Sequence, residues 1–487
     1  MFRNDRVRRW LSRTGMAVVA AVLPIGGCDS GILEVTDPDI ILSANNAAGA
    51  RGLRNGAFLR LSQAVSGTQG PDAVFVFSGL LTDEYRSGDT FVQRNNQDQR
   101  IFWPENTFNA GPFRNLNRVR AQSEQAIKAF QAFLPDSFAA MASMFALIGY
   151  SETLIGELYC NGTPLSRVEG TTFLYGNPLT NDSVIRLAVA NVDSALALAA
   201  ATIARADAIL ANPAGQDTAY FRQERNLGLR LQNLAAIVKG RALVDLARSP
   251  ADFAAAASAV AVVPTTYKYH VHHSLTSSTN QVWGLNNNAR RYTMTNGREG
   301  NVGIDYVTPN DPRLPRTIGG ATVFDTSIPM TLVRQAMWGQ FDSIPIATGV
   351  EARLIEAEAM LQAGDSTGWL AAINALRTNA ALYPPIGSGL SASRGATLTA
   401  LANPTTDSAR VRTHFTERAF WMFSTGHRLG DMRRMLRQYG TLGFTELNVY
   451  PNGAYVKGGT FGDAIQMPVP FDEYNNPNFN GCINRNP

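Results

Sequence analysis

Along most of this chain, apolar residues recur at helical spacing, and alanine and glycine crowd the same stretches. The sequence SFAAMASMFALIGYSETLIGELY, residues 137–159, is the strongest case: its small side chains permit close approach of a second helix. GPFRNLNRVRAQSEQAIKAFQAFL (111–134) sets Leu116, Val119, Ser123, Ile127 and Phe130 on or near one face. DSVIRLAVANVDSALALAA (182–200) opens on an Asp-Ser cap and carries Ile185, Leu187, Val192 and Leu196. Further helices are expected over 46–67, 224–247 and 250–263. Residues 348–380 predict two more, joined at AGDST, with Leu354, Ile355, Met360 and Leu361 on the first and Leu370, Ile373 and Leu376 on the second. Helix pairs with small residues at their contacts point to a mainly α fold. The expected scaffold is tetratricopeptide-like helix pairs, without a clean repeat period.

Residues 263–348 break the pattern. They are rich in Asn, Thr, Gly and Tyr and predict loops with a few short strands. So long an irregular segment inside a folded domain is functional or disordered, and its aromatic residues argue for order. The tail, IQMPVPFDEYNNPNFNGCINRNP (465–487), reads as extended.

The N-terminus reads as an address. MFRNDRVRRWLSRTG sets Arg3, Arg6, Arg8, Arg9 and Arg13 against Asp5, and the apolar run MAVVAAVLPI and then GGC follow. That run is too short to cross a bilayer, and the order basic, apolar, small is that of a signal peptide. IGGC at 25–28 is similar to the lipobox of bacterial lipoproteins. The similarity implies a lipoprotein signal peptide over 1–27, a lipidated Cys28, a tether over 28–45 and one domain over 46–487. No other stretch is expected to span a membrane. The leader's charge balance equals the +4 of the whole chain, so the remainder is neutral despite a pI near 9.0. A neutral body has no general attraction for a phosphate backbone, and no nucleic-acid partner is expected. With Cys28 lipidated, Cys160 and Cys482 remain, and two cysteines in an exported chain are expected to pair. Closing so long a loop stabilises by about 4–5 kcal/mol.

Three places look chemical. ERAFWMFSTGHRLGDMRRMLRQYG, 417–440, puts His427 and Asp431 four apart, on one helical face. Arg428, Asp431 and Arg434 have the spacing of an intrahelical charge network, and His427 after Gly426 fits a turn into the helix. The stretch is therefore read as structural. HVHH at 270–273 would put His270 and His272 on one side of a strand, but no Cys, Asp or Glu stands nearby in sequence to complete a zinc or copper site. A polar loop is expected there. Glu351, Glu356 and Glu358 share one helix and read as complements of its dipole rather than as a glycosidase pair. The chain has no Gly-x-Ser-x-Gly elbow, phosphate-binding glycine loop, His-Glu-x-x-His or Cys-x-x-Cys. No catalytic residue, metal or cofactor is expected.

Aromatic residues outside the helices are better candidates. Phe102 and Trp103 precede a proline in IFWPEN, while Trp283, Tyr292 and Tyr306 lie in the irregular segment among Asn286, Asn287, Asn288, Arg290 and Arg291. Aromatic faces stack on the C–H faces of sugar rings, and planar amide and guanidinium groups bond hydroxyls in plane. Trp103, Trp283, Tyr292, Asn287 and Arg291 are the expected ligand-binding residues.

Six separated stretches, in order, resemble the SusD/RagB family of outer-membrane nutrient-uptake lipoproteins. They are the lipobox with LEVTDPD (33–39), GYSETLIGELYCNGTPLS (149–166), NDPRL (310–314), EARLIEAEAMLQAGD with AAINALRTNA, the 417–440 stretch, and MPVPFDEYNNPNFNG near the end. The resemblance implies a scaffold of four tetratricopeptide-like helix pairs with an irregular ligand-binding face. It also implies lipid anchoring at the outer face of the outer membrane and a partner, a SusC-like TonB-dependent transporter. The expected role is capture of an oligosaccharide for that transporter, without catalysis. A peptide ligand, a lipid-anchored glycoside hydrolase and a helical scaffold with no small ligand are the alternatives. The stretch TDEYRSGDTFVQRNNQDQRIFWPEN (82–106) matches no family motif and is expected to help form the binding face.

Overall fold

Local sequence starts most of the helices. Asn46, Thr180, Asp217, Thr348, Asp365 and Thr406 each place a side-chain oxygen on a backbone N–H of the first turn. Ser249 and Asp252 form a reciprocal capping box behind Pro250. The cap at Thr180, whose hydroxyl accepts from Ser183 N–H at 3.2 Å, lies two residues before the expected Asp-Ser cap. A computed structural model describes residues 46–487 apart from 69, 71, 170 and 171, and all of these fall in one compact unit. The expected signal peptide, Cys28 and the expected tether lie outside the described residues.

The helices are α1 (Ala47–Val65), α2 (Val74–Leu80), α3 (Val92–Asp98), α4 (Thr107–Phe133), α5 (Phe138–Leu158), α6 (Asn181–Ala211), α7 (Thr218–Leu246), α8 (Pro250–Val260), α9 (Gly349–Gln362), α10 (Ser366–Arg377), α11 (Asp407–Trp421), α12 (Arg428–Tyr439) and the single turn α13 (Glu446–Val449). From α4 to α10 each packs on the next, with α1 against α4 and α11 against α9. Glycines set the close approaches. A Cβ on Gly149 would stand 2.5 Å from Val192, and one on Gly240 would stand 2.3 Å from Val260. Contrary to the expectation of no further span, α5 and α6 are long and apolar enough to cross a bilayer by length and composition. Nearly all of α5 is buried among its neighbours, however, and α6 buries one face against α5 and α7, leaving Leu187 exposed.

Short strands accompany the helices: β1 (Tyr85–Ser87), β2 (Thr163–Pro164), β3 (Arg167–Glu169), β4 (Thr172–Leu174), β5 (Pro178–Leu179), β6 (Lys268–Val271), β7 (Tyr292–Met294), β8 (Arg316–Thr322), β9 (Thr331–Gln335) and β10 (Ile344–Thr348). β6 and β10 pair antiparallel, Val271 opposite Ile344 and Lys268 opposite Thr348, and form a neck between α8 and α9. The irregular segment lies between them. β7 ties it to β1, and β8 pairs with β9 inside it. The HVHH cluster is therefore partly strand, not a polar loop. His273 is buried with Nε2 3.0 Å from Ser66 Oγ, and His272 is exposed with Nδ1 2.8 Å from Ser343 Oγ. A pairing partner 73 positions away made the strand, and no local pattern announces that.

Helix α12 carries the polar centre. Arg428 grips Asp83, in the turn after α2, with two bonds of 2.8 and 2.7 Å. Asp431 accepts from Arg418 of α11 at 2.9 Å and from Arg434 at 3.3 Å. Arg434 also makes two 2.9 Å bonds to Glu358 of α9, which takes the Tyr439 hydroxyl at 2.6 Å. Arg433 donates to the carbonyls of Gly156, Glu157 and Tyr159, closing the C-terminus of α5. Arg437 and Gln438 do the same for α7, at Asp245 O and Val244 O, both at 2.7 Å. The expected intrahelical network reduces to the Asp431–Arg434 contact. The other charges point outward because α12 is buried on most sides, so each must find its partner on another element. Glu351 likewise is more than a dipole complement: Arg241 grips it with two 2.6 Å bonds.

Cys160, just past α5, is bonded to Cys482, with the tail laid alongside by Cys160 N–H to Met467 O at 3.0 Å and Ile483 N–H to Asn161 O at 2.8 Å.

Two outcomes are expected. Asp431→Ala strands Arg418 and weakens Arg434, lowering the unfolding free energy by about 3–5 kcal/mol in denaturant titration. A loss below about 1 kcal/mol would contradict this account. Cys482→Ser lowers it by about 4 kcal/mol relative to the oxidised protein, and thiol titration of the unfolded parent finds no reactive pair.

Candidate functional site: an aromatic and arginine platform

Three segments distant in sequence meet at the surface through main-chain bonds. Gly88 N–H donates to Arg291 O at 2.9 Å, Asp325 N–H to Gly88 O at 2.8 Å and Phe324 N–H to Arg290 O at 2.9 Å. A side chain at position 88 would collide with Val323, 2.7 Å away, so glycine is required at this crossing. The crossing brings Phe91 and Phe324 to the surface, 45% and 42% exposed. The Arg291 guanidinium lies 3.9 Å from the Phe324 ring centre and 4.9 Å from that of Phe91. It thus bridges two aromatic faces, a geometry that favours a cation.

A buried network holds this platform in place. Arg291 Nη1 donates to Asp89 Oδ1 at 2.6 Å, and its side chain stays 22% exposed while that of Asp89 is buried. Asp89 also pairs with Arg94, which bonds Asp72 at 3.0 Å through Nε. Burial alone would drive the Arg94 guanidinium toward neutrality, but Asp72 and Asp89 outweigh it and keep the group firmly charged. The Arg94 guanidinium lies over the rings of Phe91, Phe108 and Tyr292. From the C-terminal region Lys457 contacts the Asp89 carbonyl and, at 3.2 Å, the Asp325 carboxylate. The platform is therefore both fixed and reachable, as a binding surface requires.

The expected ligand residues fall in different places. Arg291 is the centre of the platform. Tyr292 is fully buried beneath it, its hydroxyl donating to Asp72 Oδ2 at 2.6 Å and its ring edge-on to Tyr85. Asn287 is tied to Gln335 by bonds of 2.8 and 2.9 Å, which anchor the π-helical turn Trp283–Asn288 on β9. Trp283 is half-buried in that turn, and Trp103 is half-buried in the turn between α3 and α4, beside the exposed Phe102. Tyr306 is buried, its hydroxyl 3.2 Å from Asp83. Phe91, Phe324 and Asp89 were missed. Phe91 and Asp89 belong to the 82–106 stretch, where GDTF, a glycine turn ahead of an aromatic residue, was the available signal.

Tyr292→Phe keeps the ring and removes only the hydroxyl on Asp72. It is expected to cost about 1–2 kcal/mol of stability by thermal or denaturant unfolding. A loss of 4 kcal/mol or more would mean that the hydroxyl organises more than this network.

No protein-family model and no curated protein matches the chain. Solved structures do. A SusD superfamily protein from Bacteroides vulgatus is 13% identical, with TM-score 0.58 over 90% of this chain and 99% of its own. Surface glycan-binding protein A from Bacteroides uniformis is 11% identical, with TM-score 0.60 over 89% and 99%. NanU of B. fragilis is 12% identical, with TM-score 0.57 over 92% and 99%. The helical scaffold, the neck and the inserted segment together have the SusD-superfamily fold.

Proposed function

We propose that this protein is a cell-surface lipoprotein that captures a glycan and delivers it to a SusC-like TonB-dependent transporter, without catalysis. The observation that carries the reading is the Phe91–Arg291–Phe324 platform. A sugar ring can lay its C–H face on an exposed phenyl ring while its hydroxyls accept from a guanidinium already oriented by Asp89. The SusD-superfamily fold supports a binding role, and one similar structure is named as a surface glycan-binding protein. The lipobox-like IGGC supports lipid anchoring at the outer membrane. Non-catalytic action is supported by the use of the most chemical side chains as structure. Asp431 is committed to Arg418 and Arg434, His427 to Glu157, and Asp89 to Arg94 and Arg291.

The test is calorimetry or affinity electrophoresis against a glycan panel. Phe91→Ala, Arg291→Ala and Phe324→Ala are each expected to weaken the bound glycan about tenfold or more, equivalent to about 1.4 kcal/mol, with unchanged circular dichroism. Full affinity in all three variants would remove the platform as the site. Turnover of a glycan by the pure protein would overturn the non-catalytic reading.

A further inference from the structure

The platform holds one cation more than its own carboxylates match. Arg94, Arg291 and Lys457 stand against Asp72, Asp89 and Asp325. Arg290 is left over. Among the described residues it has no carboxylate partner, and its guanidinium makes only a long, solvent-exposed bond, Nη1 to Thr322 O at 3.4 Å. Thr322 lies two residues before Phe324, whose ring the Arg291 guanidinium covers at 3.9 Å. Both arginines therefore reach the segment that carries Phe324.

The backbone explains how two adjacent arginines do so. In an extended chain neighbouring side chains point to opposite sides. Arg290 breaks that alternation with a φ of 58°, in the left-handed region. It stands where the π-helical turn ends: Ala289 N–H donates to Gly284 O and Arg291 N–H to Leu285 O, both at 2.8 Å. Glycine takes this conformation at a helix end without strain. Arginine stands there instead, its carbonyl accepting from Phe324 N–H at 2.9 Å. Backbone strain of this kind concentrates at ligand-contacting sites, and what arginine adds over glycine is the guanidinium.

A guanidinium without a counter-charge, beside an aromatic face, suits an oxyanion. Its charge-assisted bonds to a carboxylate or sulfate are stronger than those to a hydroxyl. We propose that the glycan captured at the platform is acidic: a carboxylate or sulfate on one sugar binds Arg290 while a sugar face lies on Phe324. This rests on the glycan reading of the platform and names its ligand class.

The probes are two matched pairs, titrated by calorimetry into the full chain: trigalacturonate and its methyl ester, and a sulfated carrageenan tetrasaccharide and its desulfated form. In at least one pair the acidic member is expected to bind about tenfold more tightly or better, and which pair it is tells carboxylate from sulfate. Added salt should narrow the difference. Arg290→Gly relieves the left-handed backbone, so the variant should melt no lower than the parent while the acidic preference falls toward unity. Arg290→Lys should keep part of that preference. Equal affinity within both pairs, no binding of either acidic member, or an undiminished preference in Arg290→Gly overturns the acidic ligand. A neutral member bound through Phe91 and Phe324 in that case leaves the platform standing. Acidic binding that survives Phe91→Ala and Phe324→Ala removes the platform and leaves the Arg290 contact.

Discussion

Buried charge that must be paired is the constraint on which this structure depends. Helix α12 places Arg428, Asp431, Arg433 and Arg434 in the interior, and each has its partner on another element or on a helix end. Such pairs add little net stability over well-packed apolar contacts, but stranding one charge is expensive. They therefore penalise arrangements in which α5, α9, α11 or the turn after α2 is displaced. The carbonyl ends of α5 and α7, closed by Arg433 and Arg437, join the same arrangement. Apolar packing brings the helices together, and the α12 charges select their register.

The same logic recurs one layer out. Asp83 receives Arg428 from the core and the Tyr306 hydroxyl from the irregular segment. Asp72 and Asp89 pass the connection through Arg94 to Arg291. The neck of β6 and β10 and the β1–β7 pair fix the irregular segment at two places. An otherwise irregular surface is thereby held stiffly enough to present two phenyl rings and a guanidinium in fixed relation.

Legibility in the sequence followed the range of the interactions. α4, α5, α7 and the α9–α10 pair could be placed from periodicity, because a helix repeats its environment every few residues. α2 and α3 could not. VFVFSGL is buried on every side and shows no amphipathic pattern, while the buried face of α3 is made of Arg94, Gln97 and Asp98. Of the ligand residues, Arg291 reached the platform, but Tyr292, adjacent in sequence, turned inward to Asp72. Arg291 stands just before β7, whose three residues are all buried, and where that buried strand begins is set by pairing with β1, some 200 residues earlier.

By itself the sequence determined the helical class, the location of the long interruption, the neutral charge of the chain beyond its first fifteen residues and the resemblance of ordered motifs to one family. These follow from spacing and composition, which are local or additive. Only the tertiary structure decided that α12's charges serve five other elements and that Gly88 admits the crossing of three segments. Those depend on contacts between residues hundreds of positions apart. Pairing, burial and desolvation at such distances are properties of the packed chain and have no counterpart in any short stretch of it.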